Sequence, residues 1–410
     1  MATHGLPVYC GRMSSPNETG TAYSPVMASV LEDPHRAYAE LRAQCPVHVG
    51  DVDGVELTTI ADPDLVRQVL IDWRTWSNGQ GPGLGISAST GDMQHDDPPI
   101  HSDRRAFARD AFLPRAVAKL EASIRVIAEA QAEKMAQGTT AELYHDFALP
   151  LPVTSFCELM GVELDDRGRF LRWADALTNA MAYPETGKEA RRDLNAFTKA
   201  EVAARRVVAD QGGTPPAGLL SHLAVDEWTH GERMDIDEVV NMSNQLLIAG
   251  HETTTSLITN LVWRLLEDPQ RWDRLVEEPA LVEQAVEESL RFDPPVLGLC
   301  RTATTDSELG GLRVREDAKV MMLYASANRD EKLFDRADEF VLDRPLVETK
   351  QHLSFSWGIH HCLGAHLARL TARIGIEVLL EHFPELRLNG DTERVMSPFL
   401  WGRKQLPVRF

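Results

Sequence analysis

Apolar residues recur at helical spacing along most of the chain. The clearest run lies between Asp235 and Glu267 and carries apolar residues on its faces throughout. Asp235 and Glu238 form a capping-box pattern at its start, and Pro269 follows its end. A helix of this length in a globular protein is expected to cross the core. Its apolar positions are Val239, Val240, Leu246, Leu247, Ile248, Leu257, Leu261 and Leu265.

Shorter segments predict the remaining elements. Further helices are expected at 35–44, 64–70, 99–112, 119–137, 153–160, 165–182, 189–209 and 365–380. Strands are expected at 47–59, as a hairpin around Asp53-Gly54, and at 307–314, 320–323 and 386–388. The predicted fold class is therefore mainly α with small β-sheets. Residues 1–25 are expected to form a flexible N-terminal arm, and residues 26–410 a single domain, because no linker or repeat divides them.

Composition narrows the class of protein. The chain has 410 residues, 43% of them apolar, and 62 acidic against 42 basic residues give a net charge of −20. This balance argues against binding to nucleic acid or to an anionic membrane. No apolar run of about 18 residues predicts a membrane span. Five scattered cysteines fit a reducing, cytoplasmic compartment, and they are Cys10, Cys45, Cys157, Cys300 and Cys362.

The segment from Phe355 to Gly364 places Cys362 among glycines, aromatic residues and histidines, just before a predicted helix. The dipole and unpaired N–H groups of a helix N-terminus stabilise a thiolate, and a thiolate is a strong ligand for iron. The loop therefore fits a cysteine that binds haem iron. Two alternatives remain open: a small buried thiol, and a zinc site in which Cys362 is joined by His360, His361 and His366.

The centre of the long helix is polar where a core helix should be apolar. Residues 249–255 are Ala-Gly-His-Glu-Thr-Thr-Thr. Glycine and threonine are poor choices there, and threonine hydroxyls can take carbonyl groups from the helix ladder and open it locally. Such a departure from local rules usually marks function. The alternative is a polar notch hydrated by core water.

Residues 78–86 are rich in glycine, with the order Asn-Gly-Gln-Gly-Pro-Gly-Leu-Gly-Ile. A phosphate-binding loop is one interpretation, but no predicted strand precedes the segment and no Lys-Ser or Lys-Thr pair closes it. We therefore expect a mobile loop over a pocket.

Two segments carry charge patterns that usually belong to the solvated faces of helices. In one of them, Glu288 and Arg291 lie one turn apart, which is a common surface pairing. The other is the predicted helix at 99–112, which is basic in an acidic protein. It carries Arg104, Arg105 and Arg109, and Arg115 follows it.

Four motifs in chain order resemble those of the cytochrome P450 family. They are Asp-Pro-Pro-x-His-x-x-x-Arg at 97–105, Ala-Gly-x-Glu-Thr-Thr at 249–254, Glu-x-x-Arg at 288–291, and the cysteine loop at 355–364. The cysteine loop departs from the family pattern at Ser356, where the family has its first glycine. The resemblance is to the soluble bacterial haem-thiolate monooxygenases, and it implies the cytochrome P450 fold.

The resemblance implies which residues would hold haem b. Cys362 would be the axial ligand of the iron. Glu288, Arg291 and Arg344 would be structural supports of the cysteine loop. The residues implied to contact the porphyrin or its propionates are His101, Arg105, Ala249, Arg301, Phe355, His360 and Gly364.

The implied reaction inserts one oxygen atom of O2 into an apolar organic substrate, while the other atom leaves as water. The thiolate would donate electron density that favours O–O cleavage. Glu252 and Thr253 would deliver the protons, whereas His251 stands at a variable position and is not expected to be catalytic. A peroxide-using haem-thiolate enzyme is a rival, but the Glu252–Thr253 pair argues against it. A non-enzymatic haem or zinc protein is another, but it would leave the polar notch unexplained.

Family position also implies the wall of a substrate chamber. Because no arginine or lysine stands at these positions, we expect an apolar substrate of small to medium size. Asn244 and Gln245 are the candidates for one polar anchor. The expected wall residues are Gln245, Leu246, Ile248, Ala249, Val296, Leu297, Leu299, Phe399 and Leu400.

Electrons are expected from outside the chain, because no flavin or pyridine-nucleotide motif is visible. The expected route runs from NAD(P)H through a reductase to a ferredoxin or flavodoxin. That acidic donor would dock near Arg104, Arg109 and Arg115, a basic region on an acidic protein. The enzyme itself is expected to be a monomer.

Overall fold

The computed structural model describes residues 23–52, 54–85, 91–162, 167–179, 184–229 and 231–410. Most of the expected N-terminal arm, together with Cys10 and Ile86, lies outside these residues. The α-helices of the described residues are α1 (Ala28–Glu32), α2 (Pro34–Gln44), α3 (Pro63–Ile71), α4 (Ile100–Arg109), α5 (Pro114–Val117), α6 (Glu121–Met135), α7 (Pro150–Met160), α8 (Arg167–Asn179), α9 (Pro184–Asp210), α10 (Leu219–Val225), α11 (Ile236–Glu267), α12 (Pro269–Glu277), α13 (Val282–Phe292), α14 (Tyr324–Ala327), α15 (Leu346–Thr349) and α16 (Ala365–His382).

Short strands accompany the helices, as the mainly α prediction required. They are β1 (Val47–Val52), β2 (Val55–Ile60), β3 (Trp76–Ser77), β4 (Thr140–Glu142), β5 (Glu227–Thr229), β6 (Glu232–Arg233), β7 (Leu299–Ala303), β8 (Ser307–Leu309), β9 (Leu312–Val314), β10 (Lys319–Met322), β11 (Arg387–Leu388), β12 (Glu393–Arg394), β13 (Arg403–Gln405) and β14 (Pro407–Arg409). No helix among the described residues is long and apolar enough to cross a membrane.

The chain forms two compact units. The first comprises the described part of Met1–Ser89, with Glu287–Cys362 and Val395–Trp401. Its centre is a five-stranded sheet in the order β1-β2-β10-β7-β3, in which β10 runs parallel to β2 and antiparallel to β7. Successive residues of β10 point to opposite faces, so Val320 enters one apolar core and Met321 the other. The sheet therefore separates two cores within this unit.

The second unit comprises Thr90–Val286, Leu363–Arg394 and Gly402–Phe410, and it is mostly helical. Helix α11 is its axis and packs against α7, α9 and α16. The predicted capping box is present, because Asp235 accepts from the N–H of Asp237 at 2.8 Å and Glu238 accepts from the N–H of Asp235 at 3.3 Å. The start and end predicted for this helix are confirmed.

Other predicted boundaries shift by a few residues for identifiable reasons. Helix α7 begins at Pro150 rather than Val153, because proline suits a first helical turn that needs no N–H donor. It ends at Gly161, whose φ is 70°. A Cβ atom there would lie 1.8 Å from the carbonyl oxygen of Ala217, so this turn requires glycine.

Candidate active site

The cysteine loop is a set of tight turns in the first unit. Ser356 and Gly358 both have left-handed backbone conformations, with φ of 60° and 70°. A Cβ atom on Gly358 would lie 2.4 Å from the carbonyl oxygen of Leu70, so only glycine fits at this position. The N–H of Cys362 donates to the carbonyl of Phe355 at 2.8 Å and closes the loop. The backbone therefore fixes where Cys362 is held.

Exposure distinguishes Cys362 from the other described cysteines. Cys45, Cys157 and Cys300 are buried, whereas Cys362 is exposed. The interpretation of Cys362 as a small buried thiol is therefore wrong. In the described part of the chain, no cluster of three or more His, Cys, Asp or Glu side chains could hold a metal ion, so the zinc interpretation has no support. An accessible thiol three residues before α16 fits a ligand to an external iron group.

Glu288 is the centre of a buried ion-pair network. Its carboxylate accepts two bonds from Arg291, at 2.8 and 2.9 Å, and one from Arg344 at 3.0 Å. All three side chains are buried. The alternative of a surface pair is therefore wrong for Glu288 and Arg291. Such bidentate geometry holds the end of α13 and the loop around Arg344 in a fixed relation.

A second set of hydrogen bonds connects this network to the cysteine loop. Arg291 donates to the carbonyl of Asn328 at 2.9 Å. The Asn328 side chain then accepts from the N–H of Leu353 at 2.7 Å and donates to the hydroxyl of Ser354 at 2.8 Å. Through Asn328, the supports named from the sequence therefore reach the two residues that precede the cysteine loop. Glu287 and His352 form a further buried pair, at 3.2 Å, that the motif comparison missed.

The expected wall residues of the first unit divide into two groups. Leu297 is only 1% exposed and belongs to an apolar core, so its packing leaves it no open surface. Val296, Leu299, Phe399 and Leu400 are half-buried. Val296 and Leu400 are bridge partners, and the N–H of Leu297 donates to the carbonyl of Phe399 at 2.8 Å. The C-terminal segment therefore pairs with the segment before β7 and brings four half-buried apolar side chains together.

The residues expected to hold haem in this unit take different environments. Arg301 is 3% exposed and donates to the carbonyl of Cys300 at 3.0 Å. Phe355 and His360 are half-buried on the cysteine loop. In the second unit, Gly364 is the N-cap residue of α16.

The polar notch of α11 is built as the sequence suggested. The hydroxyl of Thr253 donates to the carbonyl of Ala249 at 2.8 Å and so competes with the helix ladder. Glu252 is 6% exposed and accepts from the hydroxyl of Ser256 at 3.3 Å. The imidazole of His251 contacts two carbonyl oxygens, those of Leu247 at 3.0 Å and Ala174 at 3.3 Å. Its buried position between helices indicates a structural role.

Open space lies beside the notch. Ala249 is exposed in the middle of the long helix. A Cβ atom on Gly250 would meet only Phe156, at an ordinary 3.9 Å. Glycine weakens a helix interior by about 1 kcal/mol relative to alanine, and protein packing does not require it here. The small residues therefore leave room for a group other than the protein itself.

Gln245, Ala249 and Thr253 follow one another at four-residue spacing and share one side of α11. The Oε1 atom of Gln245 is buried and has no hydrogen-bond partner among the described residues. Ile248 is half-buried, whereas Leu246 is buried in the core of the helical unit. Leu246 therefore packs inside the protein core, whereas the Oε1 atom of Gln245 has no hydrogen-bond donor near it in the described part of the chain.

Asn244, the other candidate for a polar anchor, is already engaged. Its amide oxygen accepts from Thr198 at 2.8 Å, and its amide nitrogen donates to Asn195 at 2.6 Å. These bonds join α11 to α9.

Helix α4 carries the expected propionate-binding residues of the second unit. His101 is buried and Arg105, one turn later, is half-buried. Arg104 is not the surface cation that the docking hypothesis required. It is buried between Asp96, at 2.7 Å, and Glu238, the capping residue of α11. Its charge is neutralised locally, so the expectation that it forms part of a basic docking region is wrong.

The glycine-rich segment is tied to the sheet at residues 80–82. The buried ammonium of Lys319 donates to the carbonyls of Gln80 and Gly81 at 3.4 and 3.3 Å, and the N–H of Cys300 donates to Pro82 at 2.8 Å. Burial lowers the pKa of Lys319. Carbonyl oxygens directed at a cation are the reverse of a phosphate-binding nest of N–H groups. No sequence signal indicates this contact, because a lone lysine in a strand is usually solvated.

These features agree with comparisons to known proteins. A sequence model of the cytochrome P450 family matches residues 29–406. The chain belongs to the cytochrome P450 family, and it is an oxidoreductase of the monooxygenase type.

Individual relatives match nearly the whole chain. Cytochrome P450 109 of Bacillus spizizenii is 34% identical, covering 92% of this chain and 91% of the relative. The erythromycin C-12 hydroxylase of Saccharopolyspora erythraea is 35% identical, covering 84% and 86%. The structure of the cytochrome P450 PksS of the Bacillus subtilis 168 bacillaene polyketide synthase superposes with a TM-score of 0.85 at 28% identity, covering 95% of this chain and 99% of that one. The likeness extends over the whole fold.

The residues present fit the haem that the family binds. Cys362 is accessible on a rigid loop, and Gly250 and Ala249 leave unfilled space on α11. Buried arginine and histidine side chains, Arg301 and His101, supply the donors that carboxylates need. Each unit therefore contributes residues that fit haem binding.

Proposed function

We propose that this cytochrome P450 hydroxylates an apolar organic substrate of small to medium size, using electrons that pass from NAD(P)H through a reductase to a ferredoxin or flavodoxin. Haem supplies the binding and activation of O2. The observation that carries the proposal is the accessible Cys362 on a backbone loop fixed by Gly358. The hydroxylase among the relatives supports the reaction type.

The absorption spectrum of the reduced, CO-bound protein tests the thiolate. The wild type should show the thiolate-type band, and Cys362→His should lose it while keeping a folded protein with bound haem. Cys300→Ser removes a buried cysteine and serves as the control. A thiolate-type band that persists in Cys362→His would show that another residue binds the iron.

We further propose that Gln245 anchors the substrate. The partner-less Oε1 of Gln245 requires a hydrogen-bond donor, whereas the side chain of Asn244 is already bonded to Thr198 and Asn195. The substrate would therefore be largely apolar and carry one hydrogen-bond donor, such as a hydroxyl group. Its apolar surface would contact Ile248 and Ala249 on the same helix.

Paired titrations followed by the haem spin state test this anchor. An apolar alcohol should bind about tenfold more tightly than its methyl ether, because only the alcohol can donate to Gln245. In Gln245→Leu the two compounds should bind equally. Tighter binding of the matching carboxylic acid than of the alcohol would contradict an apolar site and would indicate a cation in the chamber.

A further inference from the structure

Arg301 of the central sheet and Tyr324, at the start of α14 just after β10, lie on the same side of that sheet. Arg301 in β7 lies directly opposite Val320 in β10, so the two side chains project to the same side. Val320, Met322 and Tyr324 alternate along the chain and share one apolar core. Tyr324 therefore lies on the side of the sheet that carries Arg301, the arginine that the family resemblance assigns to a propionate.

The hydroxyl group of Tyr324 is in an unusual position. Tyr324 is 1% exposed, and its hydroxyl makes no hydrogen bond of normal geometry within the described residues. The same holds for the buried hydroxyl oxygen of Ser356, on the cysteine loop. Buried polar groups in folded proteins are nearly always hydrogen-bonded, so two orphan hydroxyl groups require an explanation.

Tyr324 lies within electrostatic reach of Arg301, and its hydroxyl is close to that of Ser356, although the two do not meet normal hydrogen-bond geometry. Burial raises the pKa of Tyr324, while Arg301 and Ser356 act in the opposite direction. A guanidinium has no acceptor, so Arg301 cannot accept the O–H proton of either hydroxyl. An anionic oxygen satisfies all three groups at once, because each of them can donate to it.

We propose that Tyr324 and Ser356 donate hydrogen bonds to the haem propionate that Arg301 binds. The inference rests on the proposed function, since it requires haem in the site. It also gives a reason for serine at a position where the family has glycine. The hydroxyl group of Ser356 adds a donor to the propionate and offsets the strain of its left-handed backbone.

The test compares haem retention with two forms of the cofactor. Wild type, Tyr324→Phe and Ser356→Ala are reconstituted with haem or with haem dimethyl ester, whose propionates carry no charge. The rate of haem transfer to excess apomyoglobin is then measured. With haem, each variant should lose the cofactor about tenfold faster than the wild type, the usual effect of one hydrogen bond to a charged group. With the dimethyl ester, the three proteins should lose it at similar rates.

Tyr38→Phe is the matched control, because Tyr38 is also 1% exposed in this unit but belongs to the other core. It should retain haem as the wild type does. Equal haem loss from Tyr324→Phe and wild type, or the same acceleration with the dimethyl ester, would overturn the proposal. Absence of a thiolate-type CO band in the wild type would instead refute the proposed function, while the transfer rates would still report on the propionate contact.

Discussion

Ser356 has a strained backbone conformation in the cysteine loop. A non-glycine residue in the left-handed region costs about 1–2 kcal/mol, and Ser356 has a φ of 60°. Replacing Ser356 with glycine removes this strain, but glycine loses more chain entropy on folding. Because the entropy cost is smaller than the strain, the replacement should stabilise the protein.

Ser356→Gly is expected to raise the free energy of unfolding of the haem-free protein by about 0.5–1 kcal/mol. The gain should be smaller in the haem-bound protein, where the hydroxyl group is lost as a propionate donor. Arg336→Gly is the control, because Arg336 also has a positive φ, 46°, but is exposed and lies outside the cysteine loop. Denaturant unfolding of both forms measures the difference, and a loss of stability in the haem-free Ser356→Gly protein would contradict the strain argument.

Thr253 and Glu252 are placed to hold and move protons beside the space next to Ala249. Thr253→Ala should bind substrate normally and consume reductant, but release hydrogen peroxide in place of most of the product, because proton delivery fails. Thr253→Ser keeps the hydroxyl and should restore coupling. Thr255→Val is a control, since Thr255 is fully buried. Product formed per reductant consumed is the measurement, and normal coupling in Thr253→Ala would rule out this role.

Helix α11 shows what a sequence can predict about an element and what it cannot. Its capping box and following proline are local signals, so both ends were predictable. The stripe of Gln245, Ala249 and Thr253 follows from helical spacing. The burial of Leu246 does not, because apolar residues on two sides of a helix look alike until the partners of each side are known.

Charge patterns are harder to interpret from sequence for the same reason. Arg104 and Arg109 stand on one helix, yet Arg104 is enclosed by two carboxylates and Arg109 is in solvent. The two carboxylates come from distant parts of the chain, and only folding brings them together. The Glu288 network is similar, because Arg344 lies 56 residues away in sequence. Family motifs identified that pair, whereas local patterns could not.

Removing the charge of Glu288 tests how far the supports of the cysteine loop depend on it. Glu288→Gln leaves Arg291 and Arg344 buried without their counter-charge, which should cost about 3–5 kcal/mol of unfolding free energy. Glu267→Gln removes the charge of an exposed carboxylate that pairs with the half-buried Arg264 at 2.7 Å, and should cost less than about 1 kcal/mol. Denaturant unfolding compares the two. A similar small loss in both variants would mean that the buried network contributes little.

The net charge of the whole chain, −20, bears on how an electron donor can approach. An acidic ferredoxin or flavodoxin would be repelled by the molecule as a whole and needs a local cationic region to dock. Burial of Arg104 removes one of the three arginines first considered for that region. Arg109 and Arg115 remain exposed and become the basis of a narrower docking hypothesis.

Charge reversal at Arg109 tests that hypothesis. Arg109→Glu should slow reduction of the haem by the donor protein and flatten its dependence on salt, because one attractive and screenable charge becomes repulsive. Arg192→Glu is a close match, since Arg192 is also exposed and, like Arg109, lies 3.3 Å from the aspartate that follows it in the chain. Stopped-flow reduction across a salt series should separate the two variants. If Arg192→Glu slows reduction as much as Arg109→Glu does, the effect belongs to net charge, and docking at Arg109 is excluded.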